Sequence, residues 1–236
     1  MRTPVAGVMA LLSLVSAPAV LAAPADFQLG IARSSFSEVY REQELDTRLS
    51  ELDQFLFSWS APLGEADRLL VALTRASYQL EDMDFPDTRH RRQQTGLKVA
   101  ARRNLALPHV DLGMGLGYTF DLMQVESSAK QPGDDPAFLF QSLQAYHGPS
   151  LSADVRIPLL GSLGIRLAAE WQPYVFGRIG DGSLPLPAYL TAYRLNPGVT
   201  LWGDRLSFGY LMQGMAGDGY DRATRGFLAT LSLGGI

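Results

Sequence analysis

Strict alternation of apolar and polar residues is the feature of this sequence that most limits the folds open to it. In the stretch VDLGMGLGYTFDL, residues 110–122, every even position is apolar or aromatic, and every odd position is glycine, threonine or aspartate. A repeat of two residues places alternate side chains on opposite faces of an extended strand. The segment is therefore predicted to be a strand with one wholly apolar face and one thin, polar face.

Segments of the same kind recur along most of the chain, with few helical patterns between them. The clearest are residues 55–63, 97–102, 151–159, 163–172, 189–201, 206–213 and 227–233. Together with residues 110–122 and two less regular segments, they predict about ten strands. Many half-apolar strands separated by turns are typical of all-β sandwiches and barrels.

The two less regular segments are residues 27–40 and 68–80. The first loses its alternation near Ser34 and Ser35, which predicts a β-bulge at that point. In the second segment either the even-numbered or the odd-numbered residues could face outward. Our interpretation directs Arg75, Gln79 and Glu81 inward. The outward residues would then be Leu70, Ala72, Ala76, Tyr78 and Leu80. Residues 50–57 also fit a short helix, although a strand is preferred.

The predicted connections alternate between long and short. Long polar connections lie near residues 41–48, 82–92, 126–137, 178–187 and 216–224, and tight ones lie at 62–67, 108–109, 161–162 and 203–204. Outer-membrane β-barrels have an even number of strands, short periplasmic turns and longer outside loops. The alternation therefore predicts an antiparallel up-and-down transmembrane barrel, in which His109 is a turn residue.

The composition of the polar faces indicates that they line a narrow lumen and do not face bulk water. They carry glycine, serine and a few charges of both signs, and the whole chain has only two lysines, Lys98 and Lys130. Isolated charges in a closed interior cost several kcal/mol, so inward charges should pair. The predicted lumen network comprises Lys98, Arg102, Asp111, Asp154, Arg156, Arg166, Glu170 and Arg194.

Aromatic residues are placed as a lipid-facing barrel requires. Barrels in lipid carry aromatic girdles where hydrocarbon meets head groups. Tyr118, Phe120, Trp171, Tyr174, Tyr189 and Tyr193 would form the outside belt, and Trp59 and Trp202 the periplasmic one. These positions favour lipid over a folded protein interior as the solvent of the apolar face.

The first residues read as a targeting segment. An arginine, an apolar run and small residues at Ala22 and Ala23 predict a signal peptide over residues 1–23. One barrel domain would occupy residues 24–236. No later stretch has the ~18 consecutive apolar residues of a spanning helix, and the absence of cysteine excludes a disulfide framework.

These features together resemble the small bacterial outer-membrane β-barrel proteins of the OmpA and OmpX kind. The resemblance rests on the signal peptide, strands like VDLGMGLGYTFDL, the loop asymmetry and the final strand GFLATLSL. It implies a place in the bacterial outer membrane and contact with its lipid. Such proteins commonly end on an aromatic residue, whereas this chain ends with Ile236.

Residues that could carry chemistry are few. Glu81, Asp82, Asp84 and His90 lie at one predicted strand end, as a barrel protease would require, but a second acidic pair is not visible. His147 and Ser150 are three residues apart, which puts them on opposite faces of a strand and argues against a lipid deacylase. The acidic loop 131–136 does not have EF-hand spacing. We therefore expect no enzyme activity, metal or cofactor.

Function without catalysis remains. A closed barrel could have a structural, adhesive or complex-forming role, with envelope proteins bound through its outside loops. A small channel for ions or solutes is the alternative, and a secreted lipocalin-like carrier is a third. Since ten strands enclose little space, the closed barrel is preferred. The formal net charge of −4 does not favour a nucleic-acid partner.

Overall fold

The computed structural model describes residues 25–40, 43–46, 52–82, 88–129, 137–179, 190–217 and 220–234. The strands are β1 (Asp26–Tyr40), β2 (Gln43–Asp46), β3 (Leu52–Pro62), β4 (Asp67–Asp82), β5 (Thr88–Leu107), β6 (Val110–Ala129), β7 (Ala137–Pro158), β8 (Gly164–Ile179), β9 (Leu190–Leu201), β10 (Leu206–Gly217) and β11 (Tyr220–Gly234). Among these residues no helix is long and apolar enough to cross a membrane. The predictions for the signal peptide, the loop 131–136 and Ile236 lie outside the described residues.

The strands close into an antiparallel barrel. Neighbours in sequence pair with one another except for β2 and β3, and β11 closes the sheet by pairing with β1 from Asp26↔Gly234 to Tyr40↔Tyr220. Strands β2 and β3 both lie between β1 and β4, so together they occupy one of ten strand positions. Closure pairs the backbone groups that an open sheet would expose at its edges. The predicted all-β barrel of about ten strands is confirmed.

Tight turns gather at one end of the barrel. They occupy residues 63–66, 108–109, 159–163 and 202–205, at the end where β1 begins and β11 ends. His109 has φ 66°, which confirms its interpretation as a turn residue. By analogy with outer-membrane barrels, we call this the periplasmic end and the opposite one the outer end.

Several strands extend further outward than the sequence predicted. β5 and β6 have 20 residues each and β7 has 22, whereas a tilted strand needs only ~9–11 to cross a bilayer. Much of the predicted loops 82–92 and 126–137 is therefore strand. Pairing continues there because it depends on backbone hydrogen bonds, which polar side chains do not prevent.

The predicted parity of residues 68–80 is wrong. Leu73, Arg75, Ser77 and Gln79 are exposed, whereas Ala76 and Tyr78 are buried inside the barrel. The reason is register: Leu73 stands opposite Phe57 of β3 and Leu97 of β5, and paired residues share a face. The run of apolar residues on both faces of this segment concealed the phase.

The predicted bulge at Ser34 and Ser35 is also wrong. β1 pairs with β11 without a register shift, and Ser35 is exposed while Ser34 is buried, so the alternation continues. Bulges occur instead between Ser127 and Ser128, between His147 and Leu151, and between Gln172 and Val175. The helix considered for residues 50–57 is not formed, since β3 begins at Leu52.

An apolar band surrounds the outside of the barrel. Its exposed residues include Leu29, Ile31, Phe55, Leu73, Leu97, Leu116, Leu151, Leu167, Val199, Phe208 and Leu231. Leu116, in the middle of residues 110–122, is 63% exposed. Soluble monomers rarely expose contiguous apolar patches beyond a few hundred Å², so a continuous band is suited to hydrocarbon and not to water.

Candidate functional site: the barrel lumen

A buried carboxylate organises the periplasmic half of the lumen. Asp154 of β7 is 5% exposed and accepts a bidentate contact from Arg166 of β8, with 2.6 Å from Nη2 to Oδ2. Arg102 of β5 and Arg156 of β7 each lie 3.4 Å from the same carboxylate. Three guanidinium groups thus converge on one acid, because inward positions of neighbouring strands face one another in a narrow barrel.

Two further ion pairs extend this group. Lys98 Nζ lies 2.9 Å from Glu170 Oε2, and Arg156 also reaches Asp204 Oδ2 at 3.2 Å. The sequence analysis missed Asp204, although a carboxylate in a tight turn at the periplasmic end was a usable signal. Asp204 adopts a positive φ of 70° in this turn, and the turn places its side chain next to Arg156.

The structure therefore joins most of the predicted lumen residues, but in different ways. Lys98, Arg102, Asp154, Arg156, Arg166 and Glu170 take part in ion pairs. Arg194 stands opposite Glu170 in the β8–β9 register and lines a cavity of about 120 Å³. Asp111 stands opposite Arg156 but is exposed at the rim, outside the Asp154 group.

An apolar cluster lies outward of these charges and was not predicted. It consists of Ala76, Tyr78, Met123, Val125, Tyr146, Val175, Leu190, Ala192 and Met215. The cluster draws on β4, β6, β7, β8, β9 and β10, so it spans the lumen. Tyr78 Oη donates to Met123 Sδ at 3.2 Å. The sequence did contain a usable signal. Residues 121, 123 and 125 are alternate positions, so Met123 and Val125 face the lumen, as Asp121 does, although the regular segment was taken to end at residue 122.

The central ring of this lumen cluster is Tyr146. It is 1% exposed, its hydroxyl donates to Gln144 Oε1 at 2.7 Å, and the Arg222 guanidinium lies 5.7 Å from its ring centroid. The cavity lined by Arg194 also contacts Tyr78, Ala192 and Met215. From the periplasmic end outward, the described part of the lumen thus contains the ion pairs, a small cavity and the apolar cluster.

The glycines of β6 make room for this arrangement, as Gly113 demonstrates. A Cβ at Gly113 would collide with the Arg102 guanidinium. We expect Gly113→Val to displace Arg102 from Asp154 and to lower the free energy of unfolding by about 1–3 kcal/mol. The urea midpoint of the folded, heat-modifiable gel band measures this.

Gly64 provides the control, since nothing lies within 4 Å of a Cβ built there. Gly64→Val in the 63–66 turn should change the midpoint by less than about 0.5 kcal/mol. Equal midpoints for both variants would contradict the assigned role of Gly113.

Among the residues considered for catalysis, His90, His147 and Ser150 have described side chains. His90 is buried, with Nδ1 2.6 Å from Ser127 Oγ. The side chains of Glu81 and Asp82, and all of Asp84, are outside the described part. Ser150 is buried inside, whereas His147 faces outward with Nδ1 2.6 Å from Tyr118 Oη. In the same residues, no group of three metal-ligating side chains is found.

The outward aromatic residues lie at two levels of the apolar band. Tyr118, Phe120, Trp171, Tyr174 and Tyr193 are exposed toward the outer end, and Trp202 is exposed in the 202–205 turn. Trp59 is partly exposed, and Tyr189 is outside the described residues. His147, which was not predicted, joins the outer belt by stacking near Tyr118 and Phe176.

Comparison with known proteins identifies the fold. Neither a family model nor a curated protein sequence matches the chain. Among solved structures, the outer membrane protease OmpT of Escherichia coli has a TM-score of 0.56 at 10% identity, over 89% of this chain and 96% of that one. This likeness supports the barrel fold and, at such identity, nothing about activity.

Two other structures are similar at lower scores. The translocator domain of the autotransporter NalP from Neisseria meningitidis has a TM-score of 0.47 at 8% identity and covers 96% of both chains. Ail, the attachment invasion locus protein of Yersinia pestis, has a TM-score of 0.41 at 8% identity, over 89% of this chain and 99% of that one. Each of these proteins has its own function, and none is transferred to this chain.

Proposed function

We propose that this protein is an integral β-barrel of the bacterial outer membrane whose lumen is closed and whose role is structural, adhesive or complex-forming. The observation that carries the proposal is the apolar cluster around Tyr146, stacked on the ion pairs of Asp154 and Glu170. Such an interior is suited to holding a barrel together and not to passing solutes.

Transport through this lumen would face two obstacles. An ion crossing the cluster around Tyr146 would exchange part of its hydration for apolar walls such as Met123, Val125 and Leu190, which costs free energy. Below that cluster, the Arg102, Arg156 and Arg166 side chains contact Asp154 across the path. The cavity between them, about 120 Å³, has room for only a few water molecules.

The outer end is the surface best placed to act. β5, β6 and β7 are about twice as long as a bilayer requires. Their outer halves therefore form a wall that projects beyond the apolar band. We propose that this wall contacts other envelope proteins.

Conductance of the purified full chain in planar bilayers tests the closed lumen. The wild-type protein is expected to insert without producing current steps, under conditions in which a general porin does produce them. Steady steps that change with Arg166→Ala or Arg156→Ala would instead assign a channel. A sodium carbonate wash of membranes should leave the protein in the pellet, and its release would assign a soluble carrier.

A further inference from the structure

Three outward-facing arginines lie at one level of the barrel. Counted from the periplasmic end of their strands, Arg33 is the eighth residue of β1, Arg75 the ninth of β4 and Arg225 the tenth of β11. All three are exposed on the outside of the barrel. Since β11, β1, β3 and β4 are consecutive in the sheet, the three arginines form one patch, which we call the arginine patch.

The level of the arginine patch is that of the outer aromatic belt. By the same count, Tyr118, Trp171 and Tyr193 are the ninth, eighth and ninth residues of β6, β8 and β9. Aromatic belts mark the depth of the lipid head groups. On one side of the barrel this depth is occupied by tyrosine and tryptophan, and on the other by arginine.

The surroundings of the arginine patch are apolar toward the periplasmic end. Arg75 stands opposite Phe55, which is 54% exposed, and Arg33 stands opposite Phe227, which is 73% exposed. Their carbon stems can therefore extend along lipid-facing surface while the guanidinium groups reach the head groups.

The net charge of the patch is positive. Asp53 stands opposite Arg33 in the β1–β3 register and is the acidic residue of β3 nearest to this level. Glu126 and Asp221 also lie on the outward parity of β6 and β11, but as the seventeenth and fourteenth residues from the periplasmic end they are farther out. Asp46 of β2 and Glu81 of β4 stand opposite one another on the same outward parity, also farther out. On the strands that the structure describes, the level of the patch itself thus carries three arginines and one aspartate.

We propose that the arginine patch binds the phosphate groups of anionic lipids in the outer leaflet. The inference rests on the proposed outer-membrane placement and adds a defined lipid site to it. Guanidinium groups bind phosphate oxygens through paired, charge-assisted hydrogen bonds. Lipid is the occupant because the patch is continuous with the apolar band, so a phosphate there brings its acyl chains against Phe55 and Ile31.

Native mass spectrometry of the full chain, released from detergent micelles, tests this proposal. Titration with phosphatidylglycerol should give tighter binding than titration with zwitterionic phosphatidylcholine. An arginine near a charged membrane surface contributes roughly 1 kcal/mol, or about fivefold in affinity. The double variant Arg75→Gln/Arg225→Gln should therefore bind phosphatidylglycerol about 25-fold more weakly.

Arg91→Gln is the matched control. Arg91 is exposed and faces outward on β5, but it is the seventeenth residue from the periplasmic end, beyond the head-group level. This variant should bind within about twofold of wild type, because charge effects fall off within a Debye length of the lipid surface. Heat-modifiable gel migration verifies that every variant is folded.

The outcomes separate this inference from the proposed function. If the wild-type chain inserts into vesicles but binds both lipids equally, or if the double variant binds like Arg91→Gln, the lipid site is refuted and the barrel proposal stands. If inorganic phosphate competes as well as phosphatidylglycerol at equal concentration, the site is not a lipid site. If the chain does not insert at all, both proposals fail.

Discussion

An Asp154→Asn variant is expected to lose about 3–5 kcal/mol of unfolding free energy relative to the wild-type barrel. The substitution keeps the size of the side chain but removes the negative charge on which Arg102, Arg156 and Arg166 converge. Breaking a buried ion pair from one side is costly because the remaining charge is left without compensation. Here three cations would repel one another in a narrow lumen.

Urea titration of the protein folded in vesicles measures this loss, with the heat-modifiable gel band as the readout. Asp111→Asn is the matched control, since Asp111 is exposed at the rim of the same barrel end. It should change stability by less than about 0.5 kcal/mol. A similar midpoint for both variants would mean that Asp154 does not organise the lumen.

Coupling between the partners provides a second check. If Arg166 and Asp154 act as a pair, Arg166→Gln combined with Asp154→Asn should cost less than the sum of the single variants. The interaction energy should fall between roughly 0.5 and 3 kcal/mol. Additive costs would indicate that the 2.6 Å contact contributes nothing by itself.

A Tyr146→Ala variant is expected to lose a comparable 3–5 kcal/mol, the usual cost of removing a large buried ring. Tyr146 is among the largest fully buried side chains of the described residues and lies within the apolar cluster that spans the lumen. Its removal leaves a cavity whose walls belong to different strands, so the surroundings cannot collapse easily. The loss also removes the ring on which the Arg222 guanidinium lies.

Tyr174→Ala makes the same chemical change on the opposite face. Tyr174 is 56% exposed on the outside of β8, so lipid fills the space and the loss should remain below about 1 kcal/mol. Tyr146→Phe should cost about 0.5–1.5 kcal/mol, because it removes the hydroxyl that donates to Gln144 and keeps the ring. If Tyr146→Ala and Tyr174→Ala have equal midpoints, the lumen has no apolar core.

Some of this interior was accessible from sequence and some was not. Residues 110–122 were interpreted correctly because their two faces differ completely, one being apolar and the other glycine, threonine and aspartate. β4 was not, because Leu69, Leu70, Val71 and Ala72 are apolar in succession and give no phase. There the register with Phe57 and Leu97 decides which face is inside.

The apolar cluster was missed for a related reason. Its members Met123, Val125 and Tyr146 lie between the predicted strand segments 110–122 and 151–159, where the sequence turns polar on the outward face and no strand was predicted. Where a barrel wall extends beyond the membrane, its outer face can be polar and its inner face apolar. The apolar residues of the alternating pattern then face the lumen and no longer face lipid. Only the continued pairing of β5, β6 and β7 made this reversal visible.

The sequence by itself determined the regular strand segments, the tight turns and the polarity of each regular face, including the charges on those faces that point inward. These are local properties, because the period of two residues depends only on the geometry of a single strand. The tertiary structure alone decided that Asp154 gathers three arginines, that Asp204 contacts Arg156 and that Tyr146 lies in an apolar cluster inside the lumen. Those contacts join residues distant in the chain, and their distances follow from barrel closure and strand stagger, which no single strand encodes.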